Sequence, residues 1–407
     1  MDQSRPKHLL LVLALWLPFV LTACGSGAPV PASGTDPGAA SAPAPASGTD
    51  PVPTLETDHV PTSTPIPTGR LSPKDLAAFD FVIEKKIDAV PLAGLSLAIR
   101  WGSESPYIKG YGYADLATST RATEDTIYQI ASLTKQFTAA AIMQLVEGNQ
   151  LALDDPVVKF FPQAPDSWRE ITVQHLLNHT SGLRDVDELP RETGGSLIEP
   201  GSADELIALL HDAPLWYKPG SQFKYGGTGY LLLAGIIERV TGLASEEYFQ
   251  QYLLAPLGLD STFACRGRYE DLAQGHQIVD RTLMPVPSYD PSPILGSTGL
   301  CSTASDLIEW QAALAVGLVV SPDSYEQMTT PTTLAGGTSI PYGYGLGLGD
   351  GAVAHGGSAP GFRSWMIHYP DEDLALVLLS NTDVPPSYSL DILAQVIADR
   401  ILDHSQP

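Results

Sequence analysis

The chain has 407 residues, 43% of them hydrophobic, and a formal net charge of −24 at pH 7. Such acidity argues against a nucleic-acid partner, because binding to a phosphate backbone requires clustered Lys and Arg side chains. The part of the chain after residue 70 is long enough for one large domain or two interleaved lobes.

Residues 1–23 have the pattern of a secretory signal peptide, with Arg5 and Lys7 ahead of an apolar run over residues 9–21. That run is too short for an ordinary membrane span. It ends in Leu-Thr-Ala-Cys24, which resembles a bacterial lipobox, where the signal is cut before a cysteine that becomes lipid-modified. We therefore expect Cys24 to anchor the protein to the extracytoplasmic face of a bacterial membrane; the alternative is an ordinary cleavage site with a chance cysteine.

Residues 24–70 contain the anchor cysteine and a low-complexity stretch of Pro, Ala, Ser, Thr and Gly. Within it, Pro-Ala-Ser-Gly-Thr-Asp-Pro occurs at residues 31–37 and again at residues 45–51. A segment of this composition buries too little apolar surface to offset the entropy lost on ordering. We predict a disordered linker here and one folded domain over residues 71–405.

The folded part begins with a helix, for which Ser72 is the capping residue, Pro73 the first helical position and Asp75 an acid in the first turn. Alternating residues over 94–99 and 107–113 then predict a β-hairpin.

Ser132 and Lys135 lie at the start of a long apolar helix. Three positions apart in the first turn, they share one face, so the amine can reach the hydroxyl and accept its proton. Ser4 with Lys7 and Ser221 with Lys224 have the same spacing, but the first pair lies in the signal peptide and the second follows a predicted turn. Only Ser132 combines the lysine with a helix N-terminus that can stabilise an oxyanion.

A helix-rich middle follows, from Ser132 to about Leu334, and it contains Tyr225 in a glycine-rich turn before an apolar helix. Cys265 and Cys301 also lie here. Either a disulfide or two buried thiols fits these cysteines, since disulfides persist in exported domains.

The last part of the chain has a small-residue stretch, His355-Gly-Gly-Ser-Ala-Pro-Gly361, with room for a substrate and exposed backbone N–H groups. Residues 362–369 and 374–379 flank a polar turn and predict two strands, the second apolar on both faces as in a central strand. An amphipathic helix over residues 390–402 closes the chain.

Together, Ser-x-x-Lys, Tyr-x-x and His-x-Gly, in this order and at these separations, resemble the penicillin-recognising serine hydrolases. That family includes class C β-lactamases, D-alanyl-D-alanine carboxypeptidases and related esterases, and the resemblance covers about residues 76–402. It implies an α+β fold of the β-lactamase/transpeptidase type, with an antiparallel sheet, N- and C-terminal helices and a helix-rich lobe.

The resemblance also implies roles for individual residues. Ser132 would be the acylated nucleophile, Lys135 would help to remove its proton, and Tyr225 would act as base and then as acid to the leaving group. Whether Lys135 or a Tyr225 phenolate is the base stays open. No cofactor and no metal is implied.

Three further positions are expected beside the substrate: His355, Gly357 and Gly227. The N–H groups of Ser132 and Ser358 would form the oxyanion hole.

Two positions depart from the family pattern. The family's second motif is normally Tyr-x-Asn, whose amide helps to position the lysine, and this chain has Gly227 there. A neighbour such as Thr228 or Gln222 is the expected replacement. The third motif is His-x-Gly instead of Lys-Thr-Gly, and histidine is a weaker, pH-dependent cation. Efficient β-lactam hydrolysis is therefore not expected.

The sequence thus favours a lipid-anchored serine hydrolase of the cell envelope that acts on a small ester or a D-amino-acid peptide or amide. The alternative is a weak or inactive member that binds peptidoglycan fragments or a protein partner. A zinc hydrolase using His175 and His179 is disfavoured, because the glutamate of His-Glu-x-x-His is absent.

Overall fold

The structure is a computed structural model that describes residues 71–404, except 187, 189–200, 267–271 and 386–387. The predicted signal peptide, Cys24 and the predicted linker lie outside the described residues. Within the described ranges, no helix has both the length and the apolar character needed to cross a bilayer.

The main sheet of the described residues has seven strands in the order β11-β12-β13-β14-β1-β2-β3, and its neighbouring strands are antiparallel. The strands in chain order are β1 (Gly94–Trp101), β2 (Tyr107–Asp115), β3 (Thr120–Arg121), β4 (Tyr128–Gln129), β5 (Phe263–Ala264), β6 (His276–Val279), β7 (Thr282–Pro285), β8 (Leu300–Ser302), β9 (Thr332–Thr333), β10 (Ser339–Ile340), β11 (Gly347–Gly349), β12 (Ala352–Ala359), β13 (Phe362–Tyr369), β14 (Leu374–Ser380) and β15 (Thr382–Asp383).

Helices cover this sheet and build a lobe beside it. In chain order they are α1 (Pro73–Ala89), α2 (Thr134–Glu147), α3 (Val173–Leu177), α4 (Ala203–Leu210), α5 (Thr228–Thr241), α6 (Ser245–Tyr248), α7 (Ala304–Ala315), α8 (Pro322–Met328) and α9 (Leu390–His404). The predicted α+β architecture is confirmed.

The first and last parts of the described domain meet in the sheet, as the sequence predicts. Ser72 caps α1 through a reciprocal pair of bonds with Asp75, and Pro73 is its first residue. β1 pairs with β2 on one side and with β14 on the other. β14 is buried at every residue and packs against both α7 and α9, which is why its sequence is apolar on both faces.

The helical lobe is built around α2, whose residues are almost all buried. Phe137 of α2 stacks on Trp310 of α7 with ring centroids 3.9 Å apart. α5 packs against α2 and α3. This packing fixes the N-terminal end of α2, where Ser132 and Lys135 lie.

Cys265 and Cys301 form a disulfide. Cys301 lies in β8, and β8 pairs with both β4 and β5, the strand that ends one residue before Cys265. Of the two arrangements that the sequence leaves open, the structure has the disulfide.

Candidate active site

Ser132 lies in a 3₁₀ turn, Ala131–Leu133, directly before α2. The turn is entered through Ala131 at φ 48°, a left-handed conformation that is uncommon for a residue with a side chain. Such strained backbone persists only where the surrounding structure enforces it. Ser132 is half-buried, whereas its neighbours Ala131 and Leu133 are buried.

The Lys135 amine lies 3.2 Å from the Ser132 hydroxyl oxygen. The Lys135 side chain is only 1% exposed, so water does not compete for this contact. Nucleophile and amine are therefore within hydrogen-bonding distance, as a serine activated by a neighbouring base requires.

Ser297 is a site residue that the motifs do not reveal. Its backbone carbonyl and its hydroxyl each accept a hydrogen bond from the Lys135 amine, both at 2.9 Å. The only sequence signal is a serine between Gly296 and Gly299. In the structure these glycines have φ angles of 106° and 104°, and the loop turns sharply there. Nothing in the spacing shows that this loop meets Lys135, which is 162 residues away.

Gly227 lies directly before α5 and next to Ser297. Its N–H donates to Asp185 Oδ2 at 2.9 Å. Neither expected replacement for the family's asparagine takes that place: Thr228 Oγ1 accepts from the Val186 N–H at 2.9 Å, and Gln222 is exposed.

Tyr225 lies beside Lys135, whose amine is 5.0 Å from the centre of the Tyr225 ring. The Tyr225 ring is also 4.5 Å from the ring of His179. The structure thus brings the three residues with predicted catalytic roles, Ser132, Lys135 and Tyr225, into one region.

The His355 side chain lies in the protein interior, and its predicted place beside a substrate stays a prediction. Its side chain is 0% exposed; its Nδ1 bonds to the Gly356 carbonyl at 2.8 Å, and its Nε2 lies 3.1 Å from the Tyr342 hydroxyl. Burial, together with the positive charge of Lys135, lowers the pKa of His355 to about 3. The imidazole is therefore neutral at pH 7 and supplies no cation for a substrate carboxylate.

Tyr342 connects His355 to a second buried histidine, His179. The Tyr342 hydroxyl lies 3.2 Å from His179 Nε2. Burial lowers the pKa of His179 as well, and the positive charge of Lys135 lowers it further. Since His355 Nδ1 donates to a carbonyl, its Nε2 accepts from the Tyr342 hydroxyl. The three side chains form a neutral hydrogen-bonded chain next to Tyr225.

β12 passes against the turn that carries Ser132. A Cβ on Gly357 would overlap the Ile130 carbonyl and the Ser364 hydroxyl, and that hydroxyl donates to the same Ile130 carbonyl at 2.8 Å. Ser358, the next residue, is exposed. The predicted oxyanion role of Ser132 and Ser358 stays a prediction.

The histidines of the zinc alternative have other partners. His175 Nδ1 accepts from the Thr172 N–H at 3.2 Å, and His179 bonds to Tyr342. Among the described residues, no group of three or more His, Cys, Asp or Glu side chains is placed to hold a metal.

Comparison with known proteins places this site in a family. The model of the family described as beta-lactamase matches residues 31–399. The chain belongs to the β-lactamase family. The match begins within the segment that the sequence predicts to be a linker. The predicted resemblance to this group of serine hydrolases, and with it the enzyme class, is confirmed.

The relatives of this β-lactamase-family chain carry several names. It is 28% identical over 312 residues to penicillin-binding protein 4* of Bacillus subtilis, covering 72% of this chain and 69% of that protein. It is 29% identical over 287 residues to the D-aminopeptidase of Brucella anthropi, covering 67% of this chain and only 52% of that protein. The chain thus spans between about half and about two thirds of these curated relatives.

One solved structure has the same fold over almost the whole of its own chain. The D-amino acid amidase of Ochrobactrum anthropi SV3, complexed with L-phenylalanine amide, matches with a TM-score of 0.69 and 25% identity, covering 81% of this chain and 98% of that chain. The predicted β-lactamase/transpeptidase-like fold is confirmed by this likeness.

Proposed function

We propose that this protein is a serine hydrolase that cleaves D-amino-acid amides or peptides, and small esters, through an acyl intermediate on Ser132. The observation that supports it most directly is the buried Lys135 amine 3.2 Å from the Ser132 hydroxyl. A lysine in such a place is close enough to take the proton of the attacking serine.

The reaction would run in two halves. Ser132 Oγ attacks the carbonyl carbon while its proton passes to Lys135 or Tyr225, and backbone N–H groups at Ser132 and Ser358 stabilise the oxyanion. The proton then goes to the leaving amine or alcohol as the bond to the carbonyl breaks. Water hydrolyses the resulting ester on Ser132 and regenerates the hydroxyl.

The substrate class follows from two supports. Two of the relatives are named D-aminopeptidase and D-amino acid amidase. In addition, His355 is buried and neutral, so the third motif offers no charge to bind the carboxylate of a β-lactam. D-amino-acid amides and small esters need no such cation.

We also propose that the protein is exported and held at a membrane by a lipid on Cys24. Support comes from the signal-like residues 1–23 and the lipobox-like sequence that ends at Cys24.

The test of the hydrolase combines covalent labelling with turnover. A fluorophosphonate probe should add its mass to the peptide that contains Ser132. Wild-type protein should hydrolyse p-nitrophenyl esters and D-phenylalanine amide, the latter at least ~10-fold faster than L-phenylalanine amide. Ser132→Ala should abolish labelling and turnover.

Ser221→Ala is the matched control, because Ser221 and Lys224 repeat the Ser-x-x-Lys spacing while Ser221 Oγ bonds to the Lys218 carbonyl at 2.6 Å. This variant should keep wild-type activity. Turnover that survives in Ser132→Ala would refute the proposal, and neither adduct nor turnover in the wild type would favour the non-catalytic binder.

A further inference from the structure

Lys135 is held by two oxygens of a single residue. The Ser297 carbonyl is an acceptor that any residue would offer at this position, but the Ser297 hydroxyl, also 2.9 Å from the amine, depends on the side chain. Ser297 is 5% exposed, so bulk water cannot substitute for that hydroxyl.

These two bonds determine where the amine points. A neutral primary amine has two N–H bonds and one lone pair in a roughly tetrahedral arrangement around nitrogen. In the structure the amine donates to both Ser297 oxygens and to Ser132 Oγ, which is 3.2 Å away. Once the amine has lost one proton and kept its two bonds to Ser297, its lone pair is directed at the Ser132 hydroxyl. A base needs this orientation before it can accept the serine proton.

The loop that carries Ser297 is bound to the same helix as Lys135. Thr138 Oγ1 donates to the Gly296 carbonyl at 2.7 Å, and the Leu300 N–H donates to Thr134 Oγ1 at 3.2 Å. Lys135 and Ser297 are therefore held in one rigid frame at the start of α2.

Gly227 provides the room that Ser297 occupies. A Cβ on Gly227 would lie 3.0 Å from Ser297 Oγ and 3.7 Å from Ser297 Cβ, and the first distance is closer than ordinary van der Waals contact. Gly227 has φ −86° and ψ −36°, which any residue can adopt. The backbone does not require glycine here; the neighbouring serine does.

We propose that the Ser297 hydroxyl positions Lys135, and that Ser297 and Gly227 act as an exchangeable pair. The hydroxyl takes over the contact that an asparagine at position 227 would make, and Gly227 makes space for it. Ser297 is a positioning residue that acts through Lys135, and its role rests on the proposed hydrolase function.

The test is a cycle of three variants: Ser297→Ala, Gly227→Asn, and both together. The measurements are the rate of acylation by a p-nitrophenyl ester in the burst phase, KM, and the melting temperature. Ser297→Ala should lower the acylation rate ~10 to 100-fold with little change in KM, because a contact used in the transition state is lost. Gly227→Asn alone should also be slower, because the new side chain meets Ser297.

The double variant decides the question. With the serine hydroxyl gone, the asparagine introduced at position 227 has room to offer its amide oxygen to Lys135, so the acylation rate should rise ~10-fold or more above that of Ser297→Ala. A change that slows the wild type but rescues the alanine variant is not expected from lost stability, which would make the two losses accumulate.

Two controls accompany the cycle. Thr298→Val removes the adjacent hydroxyl, which is buried and has no hydrogen-bond partner among the described residues, and it should leave the rate unchanged. Ser297→Thr keeps the hydroxyl and should retain most of the activity. If Ser297→Ala does not fold, Ser297→Gly takes its place in the same cycle.

An acylation rate within about threefold of wild type in folded Ser297→Ala would overturn the proposal, since a lost contact should cost more. So would a folded double variant no faster than Ser297→Ala. These failures are distinct from those of the hydrolase proposal, which fails if turnover survives in Ser132→Ala or if the wild type gives neither adduct nor turnover.

Discussion

Gly357 lets a strand backbone touch the turn that carries the nucleophile. Its neighbours are the Ile130 carbonyl and the Ser364 hydroxyl, which are hydrogen-bonded to each other. Gly357→Ala would insert a methyl group between them, and overpacking of this kind costs about 1 to 3 kcal/mol of stability. We expect a fall in ester turnover of ~10-fold or more, because the Ser132 turn moves with Ile130.

Gly336→Ala is the control for this change, because a Cβ there would meet no heavy atom within 4 Å. It should leave both turnover and the free energy of unfolding unchanged. Equal activity of Gly357→Ala and the wild type would show that β12 does not hold the nucleophile turn in place.

His355 makes folding stability depend on pH. Its folded pKa of about 3 lies below the ordinary value of 6.5, so the unfolded state binds more protons between these values. The contribution of neutral His355 to the free energy of unfolding is therefore fully present above about pH 6.5, and it is lost as the pH falls toward 3. At pH 5 the loss relative to pH 7 is on the order of 2 kcal/mol for this one group.

The measurement is urea unfolding of wild-type protein and His355→Asn at pH 7 and pH 5. Because asparagine does not titrate, the variant should lose about 2 kcal/mol less than the wild type between the two pH values. His211→Asn, at an exposed histidine, should behave like the wild type. An identical pH dependence in His355→Asn and the wild type would contradict a buried neutral imidazole.

At the scale of elements, the disulfide joins β8 to the end of β5 across 36 residues of sequence. Closing a loop of that length restricts the unfolded chain by about 4 kcal/mol in the chain-entropy model. Replacing both Cys265 and Cys301 with serine should therefore lower the melting temperature strongly. The change also loosens β8, which begins three residues after Ser297.

Reduction offers an independent measurement of the same bond. Dithiothreitol should lower the melting temperature of the wild type toward that of the Cys265→Ser/Cys301→Ser variant, and it should leave the variant unaffected. A wild-type melting temperature that does not change, with both thiols shown by mass spectrometry to be reduced, would show that the disulfide adds no stability.

At the scale of the whole molecule, the sequence predicts those features that depend on residues close together in the chain. The cap at Ser72, the alternation in β1 and β2 and the fully apolar β14 are local patterns, and each predicted its element correctly. Proximity of Ser132 and Lys135 is local too, because one helical turn brings them together.

Contacts between distant segments could not be predicted in this way. Ser297 reaches Lys135 across 162 residues, and a serine between glycines is an ordinary turn sequence. The burial of His355 was not predicted for a related reason: the small residues around it suggested open space, whereas its side chain is buried and bonds to Tyr342. In both cases the environment of the residue depends on a partner that the local sequence does not reveal: Lys135 for Ser297, and Tyr342 for His355.

The proposed lipid anchor on Cys24 should determine where the protein is located without affecting its catalytic activity. A disordered linker between Cys24 and the domain that begins near residue 71, as the sequence predicts, would leave the site independent of attachment. In a bacterial host that processes lipoproteins, wild-type protein should sediment with membranes and Cys24→Ser should not. Ester turnover per molecule should be the same in both, since the proposed mechanism uses no group of Cys24.

Mass spectrometry of the mature N-terminus provides the direct readout: a lipid-modified Cys24 in the wild type and no lipid in the variant. Ser132→Ala is the control, because it removes activity but keeps Cys24 and the disulfide, and it should leave sedimentation unchanged. An unmodified N-terminus in wild-type protein would contradict the anchor but leave the hydrolase proposal intact, because that proposal does not depend on Cys24.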